Sequence, residues 1–249
     1  MFKLKSIKTQ LILYLVCFAI FLAFKDRDAV FLVMMAVALI SALATESILL
    51  YFKTKIFQIT ESSIITGLIV GYVLSSDEAW FKFVLASILA ILSKYLIRFQ
   101  KKHLFNPAAL GLFLTIILFG ANTQWKGTYT WYILLPLGFY FAYKLRKLEL
   151  IIGYAIVFLA LFGTQAILQK ISLWEILGYN SFFYIFVMVI EPRTTPVKTA
   201  GKYLFGAGVA ILIFVLTQVG VKFDVELLSL LAMNSLVPLL SVSSLKKEA

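Results

Sequence analysis

The chain has 249 residues, of which 62% are hydrophobic and 14% charged, and its formal net charge is +11. A soluble domain carries about 25% charged and about 45–50% apolar residues, and a folded protein of this size keeps a large outer surface, so the composition excludes a water-soluble fold. The basic excess lies in short connections between apolar runs, which reads as retention against an anionic inner leaflet and not as nucleic-acid binding.

A full span takes about 20 apolar residues, within a range near 17–25. In chain order the apolar runs are 9–24, 29–52, 64–74, 79–99, 107–120, 128–143, 148–168, 176–190, 203–220 and 225–242. The first follows a basic start, as a signal peptide would. Lys25-Asp26-Arg27-Asp28 comes next with no A-x-A pattern, so it reads as a retained first span. Cys17 in that run is the single cysteine, which rules out an internal disulfide and a four-thiolate iron–sulfur cluster. His103 is likewise the single histidine, too few for a multi-histidine haem or zinc site. The third run is too short to cross as a plain helix, and the fifth and eighth are marginal.

With all ten runs as crossings and the N-terminus inside, sixteen Lys and Arg residues fall on the inner side and six on the outer. The positive-inside rule supports that arrangement, with both termini cytoplasmic in the cell membrane. The expected fold class is an all-α polytopic membrane protein, a single membrane domain over residues 1–249. Ten segments divide into two fives, about 9–120 and about 128–242, and an odd number inverts the second five. The third run of each half is short. The fifth begins at Asn106-Pro107, and the tenth contains Asn234 and Pro238. Paired short or broken segments are the sequence pointer to a midplane site in inverted-repeat proteins. Tilted or interfacial helices explain short segments equally well.

Three stretches break the apolar pattern. In Thr60-Glu61-Ser62-Ser63-Ile64-Ile65-Thr66-Gly67, the hydroxyls and glycine suit the start of a half-helix whose amides attract anions or polar ring atoms. Ordinary capping at an interface fits too. In Phe105-Asn106-Pro107-Ala108-Ala109-Leu110-Gly111, Asn is a good N-cap, Pro suits the first turn, and small residues permit close packing. In Glu191-Pro192-Arg193-Thr194-Thr195-Pro196, two prolines stop the eighth run, and Arg193 and the two threonines offer donors at the inner face. Such a cluster could hold a polar ligand or dock a partner; a stiff basic loop is the plainer alternative. Within the spans, Glu46 and Lys94 lie at matching depths, so an ion pair is geometrically possible. The plainer reading, preferred here, has Lys94 snorkelling inward and Glu46 reaching the headgroups. No P-loop, dinucleotide fingerprint, nucleophile elbow or paired metal ligands occur. The 23 Phe and 12 Tyr pack against lipid and one another, or line a slot for a planar cofactor.

The order S-x-x-T-G-L, F-N-P-A-A-L-G, E-P-R-T-T-P-x-x-x-x-G-K-x-x-F-G and M-N-S-L-V-P-L, from about Thr60 to Leu240, resembles the RnfD/NqrB family. These are membrane subunits of the Rnf complex and of the sodium-pumping NADH:quinone reductase. The resemblance implies two inverted five-helix repeats similar to urea transporters, electron transfer, and flavin chemistry. It implies FMN joined to an outward-facing threonine in an S/T-G-A-T motif, or riboflavin held without a covalent link. Here the corresponding stretch reads Gly120-Ala121-Asn122-Thr123, a poor match. The expectation is therefore a trimmed member that binds riboflavin or FMN non-covalently or docks flavinylated extracytoplasmic redox subunits in the bilayer. The implied cofactor-binding residues are Thr66, Gly67, Asn106, Pro107, Glu191, Arg193, Thr194 and Thr195. The alternatives are a transporter or channel for a small polar solute such as a flavin or vitamin, and a structural subunit without a ligand.

Overall fold

The structure, a computed structural model, describes residues 6–99, 102–172, 175, 178 and 181–242. The described chain is predominantly helical. The helices are α1 (Ile7–Asp26), α2 (Ala29–Thr54), α3 (Glu61–Val73), α4 (Trp80–Leu96), α5 (Pro107–Phe119), α6 (Trp131–Lys144) and α7 (Leu148–Gln169). They continue with a buried π-helix, α8 (Tyr184–Val189), then α9 (Thr199–Val219) and α10 (Val225–Val242). Four of them, α1, α2, α7 and α9, are long and apolar enough to cross a membrane, and α3, α5 and α10 are shorter apolar helices. The chain is a multi-pass membrane protein.

The run expected over 79–99 is helical only over Trp80–Leu96. The charged residues that follow leave the helix, and Arg98–Phe99 and Lys102–His103 are short strands, β1 and β2. Residues 176, 177, 179 and 180 of the expected run 176–190 lie outside the described residues, as do Lys3, Lys5, Lys101, Lys246 and Lys247 of the inner-side count.

The chain divides into two compact units. The first, Met1–Arg98 with Pro107–Gly127, holds α1 to α5. In it α2 packs on α3 and α4, and α4 on α5. Helix α3 has 13 residues, about 20 Å at the helical rise, too short for a hydrocarbon core of about 30 Å. Gly67 and Gly71 lie one turn apart and let it sink against α2. A Cβ on Gly67 would stand 2.7 Å from the Leu39 Cα, and one on Gly71 2.8 Å from the Met35 Cα. This is the small-xxx-small packing of membrane helices. Past Val73 the chain turns extended, and non-helical backbone at that depth needs partners. It finds them in the stretch after α5. Ser75 donates to the Asn122 carbonyl at 3.0 Å, and Gln124 and Lys126 donate to those of Val73 and Tyr72 at 2.8 Å.

The second unit, Phe99–Asn106 with Thr128–Ala249, holds α6 to α10. Helices α7 and α9 run side by side in the same direction: Glu149 meets Lys202 near their starts, and Gln165 meets Gln218 near their ends. Glycines set the spacing, since a Cβ on Gly206 would overlap the Leu150 carbonyl oxygen and one on Gly153 the Tyr203 carbonyl. Two alanine substitutions are expected to act with opposite signs. Gly206→Ala should lower stability by about 1–3 kcal/mol through overpacking. Gly163→Ala in α7, where a Cβ meets nothing within 4 Å, should raise it by about 0.5–1 kcal/mol through helix propensity. Thermal unfolding in one detergent compares the two, and equal shifts would contradict the close α7–α9 contact.

Candidate functional site

Apart from Pro107, which opens α5 in the first unit, the expected site residues fall into two clusters, one in each unit. In the first unit, Thr60 caps α3 by accepting from the Ser63 amide at 3.1 Å. Its hydroxyl donates to Glu46 Oε2 at 2.8 Å, and the Tyr95 hydroxyl donates to Oε1 at 3.1 Å. Lys94 Nζ completes the group, 3.4 Å from Glu46 Oε2 and 3.1 Å from Ser62 Oγ. Both Glu46 and Lys94 are buried. This corrects the preferred sequence reading: Lys94 does not snorkel away but turns inward to the carboxylate, because two buried opposite charges at equal depth are cheaper together than apart. Thr66 sits one turn into α3 with its hydroxyl donating to the Ser62 carbonyl at 2.8 Å, and Gly67 faces α2.

The second unit brings together Asn106, Glu191, Thr194 and Thr195. Asn234, in the middle of α10, ties them: its Oδ1 accepts from the Asn106 amide at 2.8 Å and its Nδ2 donates to the Thr194 carbonyl at 2.9 Å. Asn106 Nδ2 donates to the carbonyl of Met188 at the end of α8, at 3.2 Å. Thr195 Oγ1 donates to the Glu191 carbonyl at 2.7 Å, and Thr194 Oγ1 to the Glu191 carboxylate at 3.4 Å. His103 Nε2 lies 3.1 Å from the same carboxylate. Asn106, Thr194, Thr195, His103 and Asn234 are all buried. Pro107 is buried as the first residue of α5. Arg193 differs: it is exposed and makes no hydrogen bond or ion pair with a described residue. The result is a polar knot beside a loop in which Arg193 is unpaired among the described residues.

Sequence reasoning left two members of this knot out of the site, although it marked Asn234 with Pro238 as a break in the tenth run. Asn234 is an amide in the middle of an apolar helix, which was the available signal. His103 was weighed only as a metal ligand.

The stretch that departs from the S/T-G-A-T motif is held firmly. Thr123 pairs with Leu74 in an antiparallel bridge, and Glu78 Oε1 accepts from Asn122 twice, from its amide at 2.7 Å and its side chain at 2.8 Å. Burial works against the Glu78 carboxylate, but Lys82 and the two Asn122 donors outweigh it and hold its pKa below the usual carboxylate value. Asn122, which interrupts the motif, is thus the residue that clamps this stretch to Glu78.

A flavin sets a chemical test for the knot. The ring edge asks for donors and acceptors, and the phosphate of FMN asks for a cation. The hydrogen bonds of the buried residues run among themselves, whereas Arg193 is available to an anionic group. The residues fit a ligand held at the Glu191–Lys198 loop better than one enclosed among the buried amides.

A model of the NQR2, RnfD, RnfE family matches residues 2–135 and 128–248. No curated protein matches the chain.

Proposed function

The chain belongs to the NQR2, RnfD, RnfE family, and from that premise we propose that it is the membrane-embedded electron-transfer subunit of an Rnf/Nqr-type complex, holding riboflavin or FMN without a covalent bond. The family match along both units carries this reading. Membership speaks for electron transport and for a place among other redox subunits. The proposed architecture is ten crossings in two inverted five-helix repeats, urea-transporter-like, with both termini cytoplasmic in the cell membrane. The short α3 in one unit and the π-helical α8 in the other support the repeat, since each interrupts the third segment of its half.

In this reading Arg193 takes the negative end of the ligand. The knot of Asn106, Asn234, Glu191, Thr194 and Thr195 keeps the loop from collapsing. Thr66, Gly67 and Pro107 act through packing of α3 and α5. A bound flavin would supply one- or two-electron redox chemistry; the chain's own residues bind and orient it.

An absorbance spectrum of the purified protein before and after acid precipitation tests the reading. Flavin bands that leave with the supernatant are the expected result. Bands that stay in the pellet would mean a covalent flavin, and their complete absence, with none regained on adding flavin, would favour the transporter of a small polar solute. Arg193→Ala is expected to weaken FMN about tenfold, the worth of one charge-assisted hydrogen bond, and riboflavin far less, because riboflavin lacks the phosphate. Equal affinity of the variant and the wild type for FMN in titration would remove Arg193 from the site.

A further inference from the structure

Near the shared start of α7 and α9 lies a group of charges that the flavin reading does not use. Lys147, the residue before α7, is 4% exposed, and its Nζ donates to the Pro196 carbonyl at 2.9 Å. Lys202 in the first turn of α9 is also buried, and its Nζ donates to Glu149 Oε2 at 3.1 Å. Lys102 is exposed, and its charge acts on Lys147. Two buried ammonium groups thus lie here with one carboxylate, which is bonded to Lys202. Burial, reinforced by Lys202 and Lys102 and opposed by Glu149, pushes the Lys147 amine down to about 8.

A buried ammonium needs a counter-charge, because desolvation without one is costly. The carbonyl of Pro196 supplies a dipole and no charge. The field at this point is positive for a second reason. Two parallel helices begin here: in the first turn of α7 the Glu149 carboxylate accepts from its own amide, while Lys198, the residue before α9, makes no side-chain cap. The amide end of α9 therefore adds its partial positive charge to those of the lysines. Among the described residues, Glu149 is the anion that acts on Lys147.

We propose that this cluster of Lys147, Lys202 and Lys102 is a binding site for a phosphate-class anion, which supplies the missing negative charge between the starts of α7 and α9. The anion is either the phosphodiester of an anionic membrane lipid or a free phosphate. The site is independent of the flavin at Arg193.

The test uses the full chain in nanodiscs, with thermal unfolding as the readout. One preparation contains phosphatidylcholine alone, a second adds phosphatidylglycerol, and a third is phosphatidylcholine with inorganic phosphate in the buffer. A ligand that binds the folded state raises the melting temperature in proportion to the logarithm of its concentration. A rise with phosphatidylglycerol alone identifies a lipid headgroup, a rise with phosphate in neutral lipid identifies a soluble anion, and no rise with either overturns the proposal.

Variants separate the site from general surface charge. Lys147→Met is expected to abolish the rise, and to melt no lower than the wild type in phosphatidylcholine, because it removes the uncompensated charge. A merely structural lysine, latching Pro196, would show the reverse: a lower melting temperature and an intact response. Glu149→Gln removes the competing carboxylate and is expected to tighten the anion several-fold; weaker binding would overturn the proposal even if Lys147→Met does not fold. Lys222→Met, an exposed lysine outside this cluster, should leave the response unchanged.

Discussion

Asn234→Leu is expected to lower the stability of the protein by about 3 kcal/mol, among the largest effects of any single polar residue here. Asn234 is fully buried, and leucine has nearly its volume, so cavity formation contributes little. The cost comes from what the amide leaves behind. The Asn106 N–H loses its acceptor at 2.8 Å, and the Thr194 carbonyl loses its donor at 2.9 Å. Each orphaned buried group costs roughly 1–3 kcal/mol. Asn106→Leu is expected to cost less, because the Asn234 contact runs through the Asn106 backbone and survives the change. Thermal unfolding of the three proteins in one detergent decides the matter. If Asn234→Leu melts with the wild type, the knot does not fix the Glu191–Lys198 loop.

The membrane character and the four long spans were legible because hydropathy acts on every residue of a run at once. The short third run was legible for the same reason: a run of about a dozen residues cannot cover the hydrocarbon core. What replaces the missing helix was not. The pairing of Ser75, Val73 and Tyr72 with residues after α5 is a backbone matter, and side-chain patterns do not encode it. The three polar stretches marked Asn106, Glu191, Thr194 and Thr195 as places where the chain departs from lipid-facing chemistry. They did not show that these residues satisfy one another, because the residue joining them, Asn234, is 128 positions from Asn106. Gly67 was read as part of a ligand-binding helix start. Its close approach to Leu39 depends on which face α3 turns to α2, and that is set by Gly71 one turn further on. Lys147 looked like one more loop cation. Its burial follows from the tight meeting of α7 and α9, which no local pattern announces.

The pairing of Glu46 with Lys94 leads to the second large effect. Lys94→Met is expected to cost about 3 kcal/mol, the lower end of the range for breaking a buried pair. The lower end applies because the stranded Glu46 keeps donors from Thr60 at 2.8 Å and Tyr95 at 3.1 Å. Glu46→Gln strands a lysine that retains the Ser62 hydroxyl at 3.1 Å, and should cost a similar amount. The double variant removes both charges and leaves neither uncompensated. It is expected to be more stable than the sum of the singles by about 2 kcal/mol, within the range of coupled contacts. Strictly additive singles, measured by thermal or chemical unfolding, would mean that Lys94 reaches the headgroups and Glu46 stands alone. The cycle also bears on α3. Its cap, Thr60, donates to Glu46, and Ser62 in its first turn accepts from Lys94, so the pair is what anchors the start of a helix too short to anchor itself across the bilayer. A pair that stabilises α3 should therefore protect the amides of Thr66 to Val73 from hydrogen exchange in the wild type. That protection should fall in Lys94→Met and return in the double variant.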